Sequence, residues 1–146
     1  RKSEVEERLG VEYSDLDTIL RICDFVVLMV PLSKETYHLM DYEQFGLMKR
    51  TAIFINASRG QTVNEEALIK ALQEGRIYGA GLDVYELEPV DPRNPLLKMP
   101  NVVTVPHIGS ATEKTRSDMA MVAAVNVVKA LYGEIPPNVV PELAES

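Results

Sequence analysis

The sequence predicts an α/β fold built on a doubly wound parallel sheet, and three observations point to it. Short apolar runs alternate along the chain with stretches whose apolar residues recur at helical spacing. The runs lack the polar alternation of a half-exposed strand, as in FVVLMV at 25–30, which suits strands covered on both faces. Capping residues and glycine stops mark where the helical stretches begin and end. Strand, helix, strand, helix in one chain builds a parallel sheet through right-handed crossovers.

Each element has its own justification. Ser3 to Leu9 carries a helical pattern stopped by Gly10, and Val11 to Tyr13 then reads as a short strand. Ser14 is placed to cap a helix over Leu16 to Cys23, with Leu16, Ile19 and Leu20 on one face and Asp17 three residues after the cap. Phe25 to Val30, bounded by Asp24 and Pro31, is a buried strand. Asp41 with Gln44 opens a short helix ending near Met48, and Thr51 to Asn56 is the next strand. Asn64 caps EEALIKALQEG, whose Ala67, Leu68, Ala71 and Leu72 share one face and which stops at Gly75. YGAGLDV and NVVTVP supply two more strands. Ser110 and Glu113 form a capping-box pattern that starts a helix running to about Leu131, closed by Gly133 and two prolines.

Composition narrows the function classes. The 146 residues have the size of one ordinary domain, able to bury roughly two thirds of its unfolded surface. No apolar run approaches the ~20 residues that cross a bilayer. A formal charge of −7 argues against a nucleic-acid or anionic-membrane surface, leaving small-molecule chemistry or a protein partner. The single cysteine, Cys23, reads as packing; it excludes an internal disulfide and a thiolate metal cluster, which fits a reducing compartment and hence the cytoplasm. No metal site is expected. The six methionines spread over core-like faces, and EVEE is a solvated helix face. The opening RKSEVEERLG has neither an initiator methionine nor signal-peptide architecture, and reads as a longer protein cut at an element boundary.

Open parallel sheets bind ligands at the carboxyl ends of their strands, so residues just after each apolar run are the functional candidates. Pro31, Leu32, Ser33 and Thr36 follow the first long run; Ala57, Ser58, Arg59 and Gly60 follow TAIFIN. Asp83, Glu86 and Glu88 follow YGAGL, and His107 follows NVVTVP. Singly, each has a bland reading: Arg59 as a solvated loop cation, Glu88 as one of 22 acids, His107 as a cap. A cation, a carboxylate and an imidazole converging on one sheet edge is a different matter. His38, the other histidine, reads as packing or solvated beside a short turn.

INASRGQTVNEEALIKALQEGRIYGAGLDVYELEP followed by NVVTVPHIGSAT resembles the signature region of the D-isomer-specific 2-hydroxyacid dehydrogenases, most of all the glyoxylate and hydroxypyruvate reductase branch. The similarity extends to Val140. It implies a Rossmann-like sheet forming part of an NAD(P)-binding domain over residues 1–133, with 134–146 a tail returning toward a substrate-binding domain absent here. It implies an active site of Arg59 from SRG, Glu88 before the proline of DVxxxEP, and His107 of PHxGxxT, acting on a small 2-keto or 2-hydroxy acid. The coenzyme, NAD or NADP, would meet Val30, Pro31 and Thr36, then Ala57 and Ser58, then Asp83 at the nicotinamide carboxamide, and finally His107, Gly109 and Ser110. Full-length proteins of this kind are expected to be homodimers.

The chemistry asks for these residue types. Reducing a 2-keto acid needs a fixed cation for the carboxylate and carbonyl oxygen, which a planar guanidinium supplies through paired hydrogen bonds. It also needs a proton donor to the forming alkoxide, a task suited to histidine near neutral pH. Glu88 within about 3.5 Å of a His107 ring nitrogen would fix the tautomer and favour the protonated ring. The positive end of the following helix opposes that, and the carboxylate is expected to win. Gly109 leaves room for the coenzyme.

The chain departs from the family in lacking a GxGxxG turn; the glycines of YGAGLD lie within a late strand. Dinucleotide affinity and activity of this segment alone should therefore be poor. Arg1 and Lys2 lean toward NADP, although the strand end that decides coenzyme choice is missing. A second function class stays open: carboxyl-terminal-binding transcriptional corepressors resemble the same family and keep the three residues. The wording of GLDVYELEP and the short tail after PPNVV favour the enzyme. Formate-type and phosphite-type enzymes are further alternatives, the former lacking the Glu–His pair.

Overall fold

Four parallel strands form the sheet: β1 (Phe25–Leu28), β2 (Ile53–Asn56), β3 (Gly79–Leu82) and β4 (Val102–Thr104), hydrogen-bonded in the order β1-β2-β3-β4. The computed structural model describes residues 3–140, and the chain divides into two units, Arg1–Pro106 and His107–Ser146. The first unit holds the sheet with α1 (Ser3–Leu9), α2 (Leu16–Ile22), α3 (Tyr42–Leu47) and α4 (Glu65–Gln73); the second holds α5 (Glu113–Leu131).

The register makes the sheet's carboxyl edge flush. Leu28 pairs with Asn56, Asn56 with Leu82, and Leu82 with Thr104, so all four strands end in one row. Met29, Ala57, Asp83 and Val105 leave the sheet side by side. This is an α/β Rossmann-type sheet, and its order runs in one direction without a reversal among the described residues. Right-handed crossovers that all advance one way lie on one face. That face carries Val26, Leu28, Phe54, Asn56, Ala80 and Leu82, all buried, with Leu20 of α2, Phe45 of α3, and Leu68 and Leu72 of α4. Phe45 meets Phe54 edge to face, ring centroids 5.2 Å apart.

Most elements follow the sequence pattern, with the strands shorter than the apolar runs. α1 ends at Gly10 and α4 near Gly75, both glycines at positive φ. Asp41 and Gln44 close a capping box on α3, and Asn64 accepts from the Ala67 N–H at the start of α4.

Four expectations need correction. Val11–Tyr13 is not a strand: the Val11 and Tyr13 N–H groups donate to the Glu6 carbonyl and carboxylate, so they are turned toward α1 and form no ladder. Asp15, not Ser14, caps α2, its carboxylate accepting from the Thr18 N–H at 2.9 Å; that bond holds the Asp15 carboxyl below its ordinary range. Thr112, not Ser110, caps α5, because Ser110 lies in the preceding turn that Ala111 N–H closes onto Ile108. β1 is buried on one face only, Phe25 and Val27 standing exposed on the side opposite the crossovers. Among the described residues no helix is long and apolar enough to cross a membrane.

Candidate active site

Arg59 sits on a turn made rigid by buried polar groups. Asn56, the last residue of β2, accepts from the Ser58 N–H at 3.0 Å and from its hydroxyl at 2.9 Å. The Asn56 amide donates to the Arg59 carbonyl at 3.1 Å, and the Thr62 hydroxyl donates to the same carbonyl at 2.6 Å. Asn56, Ser58 and Thr62 are all buried, so each bond is one whose loss would strand a polar atom away from water. Arg59 itself is exposed, with Nη1 donating to the Ser58 carbonyl at 2.7 Å. A fixed root under an exposed guanidinium suits an anion receptor.

The one-turn helix Gly60–Thr62 presses this turn against the loop after β3. A methyl group at Gly60 would lie 1.8 Å from the Tyr85 carbonyl oxygen, so only glycine admits the approach. The Gln61 amide bonds the Glu86 carbonyl at 3.0 Å across the same seam. Beyond it the exposed Glu88 is held through Oε1 by the Tyr85 N–H at 3.0 Å. Tyr85 is buried, with its hydroxyl on the Val105 carbonyl; burial raises its phenol pKa, a Thr104 hydrogen bond opposes this, and the charges of Asp83, Glu65 and Glu88 add to it. Asp83, the first residue after β3, is tied to the sheet by its N–H on the Asn56 carbonyl at 3.0 Å.

A groove of about 520 Å³ opens between the ends of β1 and β2, with Met29, Val30, Pro31 and Leu32 on one side and Ala57, Ser58 and Arg59 on the other. Thr36 shapes its rim: its hydroxyl donates to the Pro31 carbonyl at 2.7 Å and accepts from the Ser33 N–H at 2.7 Å, folding the loop back on itself. Apolar walls, a small residue at Ala57 and a cation at the mouth fit part of a dinucleotide, a flat ring with its sugar, at the edge where parallel sheets bind such ligands.

In the second unit His107, Gly109 and Ser110 stand in the turn ahead of α5. His107 has φ 52°, a left-handed conformation uncommon outside glycine. It is the third residue after β4.

Sequence reasoning did not find Asn56 and Thr62 as the supports of Arg59, nor Gly60 as a close-approach position. A buried asparagine ending an apolar strand was the available signal. His38, expected to pack or stand in solvent, is half-buried and stacks on Tyr37, and it also bonds Glu86 at 2.8 Å through Nε2, a contact the local sequence does not signal.

A parallel sheet with the groove, Arg59 and Asp83 at its carboxyl edge has the layout of a nucleotide-binding α/β domain. Residues 1–109 match the family described as D-isomer specific 2-hydroxyacid dehydrogenase, NAD binding domain, and the chain belongs to that family. It is 57% identical over 143 residues to glyoxylate/hydroxypyruvate reductase B of Escherichia coli, covering 97% of this chain and 44% of that protein. It is 54% identical over 140 residues to the glyoxylate reductase of Korarchaeum cryptofilum, covering 96% of this chain and 42% of that protein. Among solved structures it is similar to D-lactate dehydrogenase with NAD+ from Lactobacillus jensenii, with TM-score 0.83 and 35% identity over 96% of this chain and 46% of the other. It is also similar to the NADPH-dependent glyoxylate/hydroxypyruvate reductase from Sinorhizobium meliloti in complex with NADP and malonate, with TM-score 0.81 and 30% identity over 96% and 49%. The chain thus spans less than half the length of these relatives.

Proposed function

We propose that this chain supplies the catalytic residues and part of the coenzyme site of an NAD(P)-dependent reductase of small 2-keto acids, with glyoxylate and hydroxypyruvate as substrates. The observation that carries the reading is the locked seam between the Arg59 turn and the Glu88 loop, in a sequence most of which aligns with proteins named for that activity. The Arg59 guanidinium holds the substrate carboxylate and polarises its carbonyl oxygen. His107 donates the proton to the forming alkoxide and takes it back in the reverse direction. Glu88 accepts from the other imidazole nitrogen, fixing the tautomer and stabilising the charged ring. Support for bringing His107 to the pair comes from connectivity, since it follows β4, whose carboxyl end lies in the same row as those of β2 and β3.

A bound nicotinamide coenzyme supplies the hydride. On this chain Val30, Pro31 and Thr36 with Ala57 and Ser58 would hold it, Asp83 would meet its carboxamide, and His107, Gly109 and Ser110 would close over it. NADPH is the proposed coenzyme: Arg1 and Lys2, which lie outside the described residues, are basic, and a relative is NADPH-dependent. The NAD+-bound D-lactate dehydrogenase is the counterweight, so both coenzymes belong in the assay. Cytoplasmic placement and a homodimeric full-length protein are part of the same proposal.

The test is a graft. This chain replaces the matching 143 residues of the E. coli reductase, and oxidation of NADPH and NADH is followed with glyoxylate and hydroxypyruvate. Turnover with both acids is expected. A folded graft that binds coenzyme and reduces neither acid overturns the reading. The ungrafted chain is expected to be inactive, because among the described residues no strand is followed by the glycine-rich turn that cradles a pyrophosphate.

A further inference from the structure

We propose that His38, Gln61 and Glu86 form a clamp that sets the spacing between the Arg59 turn and the Glu88 loop, which makes them positioning residues. The kinetic half of this claim rests on the reaction assigned above; the structural half does not.

The loops that leave the carboxyl ends of β1, β2 and β3 meet at Glu86. Its carboxylate accepts from His38 Nε2 at 2.8 Å, its carbonyl accepts from the Gln61 amide at 3.0 Å, and its N–H donates to Glu65 Oε2 at 3.1 Å. Three polar groups of one residue are thus tied to the β1 loop, the Gly60–Thr62 turn and α4. The circuit closes through the His38 N–H, which donates to the Gln61 carbonyl at 2.9 Å. Arg59 stands two residues before Gln61, and Glu88 two residues after Glu86. Any shift of the clamp therefore reaches the guanidinium and the carboxylate through very little chain.

His38 also occupies a costly conformation. Its φ is 50°, where glycine would sit without strain. Glycine has no ring, and the ring is what reaches Glu86 while stacking on Tyr37 with centroids 4.0 Å apart. Strain at a non-glycine residue that supplies such a bond points to a requirement for the side chain. The base of the loop is secured separately: Met40 N–H donates to the Thr62 carbonyl and Asn64 N–H to the Met40 carbonyl, with Met40 fully buried. Removing the imidazole should loosen the seam and leave the fold intact.

Three variants separate a clamp from a backbone effect. His38→Ala removes the bond. His38→Asn tolerates the left-handed backbone but is too short to reach Glu86. Glu86→Gln keeps an acceptor for the ring. Amide hydrogen exchange is read in the folded chain at Thr62, Val63, Tyr85 and Glu86, with the interior of α4 as the internal standard. The two His38 variants are expected to exchange about tenfold faster or more at the seam, with Glu86→Gln close to the starting protein. Unchanged exchange in His38→Ala, or protection restored by His38→Asn, overturns the clamp.

In the active graft, His38→Ala should lower kcat and raise the KM for glyoxylate by more than the coenzyme KM, because Arg59 is the member of the groove between β1 and β2 that the clamp positions, while Met29 to Leu32 and Ala57 lie farther along the chain from it. A role confined to stability would reduce the amount of folded enzyme and leave both KM values alone. Unaltered kcat and KM in a His38→Ala graft overturn the positioning role. An inactive graft without the substitution sinks the assigned reaction, and amide exchange then decides the clamp by itself.

Discussion

Arg59 and His107 have different tolerances because they are asked for different things. Arg59 must present two parallel N–H donors to a carboxylate, which an ammonium cannot do. In the active graft, Arg59→Lys is therefore expected to raise the KM for glyoxylate and lower kcat, measured by initial rates over a range of acid concentrations. His107 is asked only for a proton. His107→Ala should cost about 10² to 10⁴ in kcat with little effect on coenzyme binding. A variant with undiminished kcat would remove His107 from the mechanism. The positions of the three proposed catalytic residues stand out in the sequence because they lie in ordered motifs that follow apolar runs, while their roles belong to the proposal. The groups that hold them do not stand out. Asn56 and Thr62 look like ordinary polar residues until burial shows that they bond the Arg59 carbonyl from two directions. His38 and Glu86 are 48 positions apart, a pairing that no local pattern contains.

At the level of elements, helices were read more faithfully than strands or their surroundings. A helix writes its own period, cap and stop into adjacent residues, so α1, α3 and α4 fall where the pattern puts them. The misses at Asp15 and Thr112 are shifts of one and two residues, where several neighbouring residues could cap and tertiary geometry chooses among them. A strand depends on a partner that the local sequence does not describe, hence the failure at Val11–Tyr13. The turn at Gly60 shows the same dependence and gives a sharp test. Gly60→Ala drives a methyl group into the Tyr85 carbonyl, and neither side is a flexible side chain that could give way. We expect a loss of about 1–3 kcal/mol in urea unfolding, the range for overfilling a packed site, with faster amide exchange at Tyr85 and Glu86. An unchanged unfolding midpoint would show that the two loops are not pressed together as described.

For the whole molecule, the apolar run of β1 was read as a strand covered on both faces, and the covering turned out to depend on strand order. An apolar residue reports that a face can be buried; it does not report what buries it. With the strands in sequential order, Phe25, Val27 and Val103 share the face away from the crossovers, and all three are exposed. Exposed contiguous apolar surface drives association, whereas a net charge of −7 opposes it by mutual repulsion. Salt tips that balance in one direction, since screening weakens the repulsion and sulfate strengthens apolar burial. The isolated chain is therefore expected to self-associate through this face, increasingly so with protein concentration and with added sulfate. Val27→Lys places a charge at the centre of the patch on a residue already in water, so it should leave the unfolding free energy within about 0.5 kcal/mol of the starting protein. Sedimentation velocity on the two proteins across a concentration series separates the possibilities. A mass that rises for the starting chain and stays monomeric for Val27→Lys supports the face as the site of association; a starting chain that remains monomeric in high sulfate removes it.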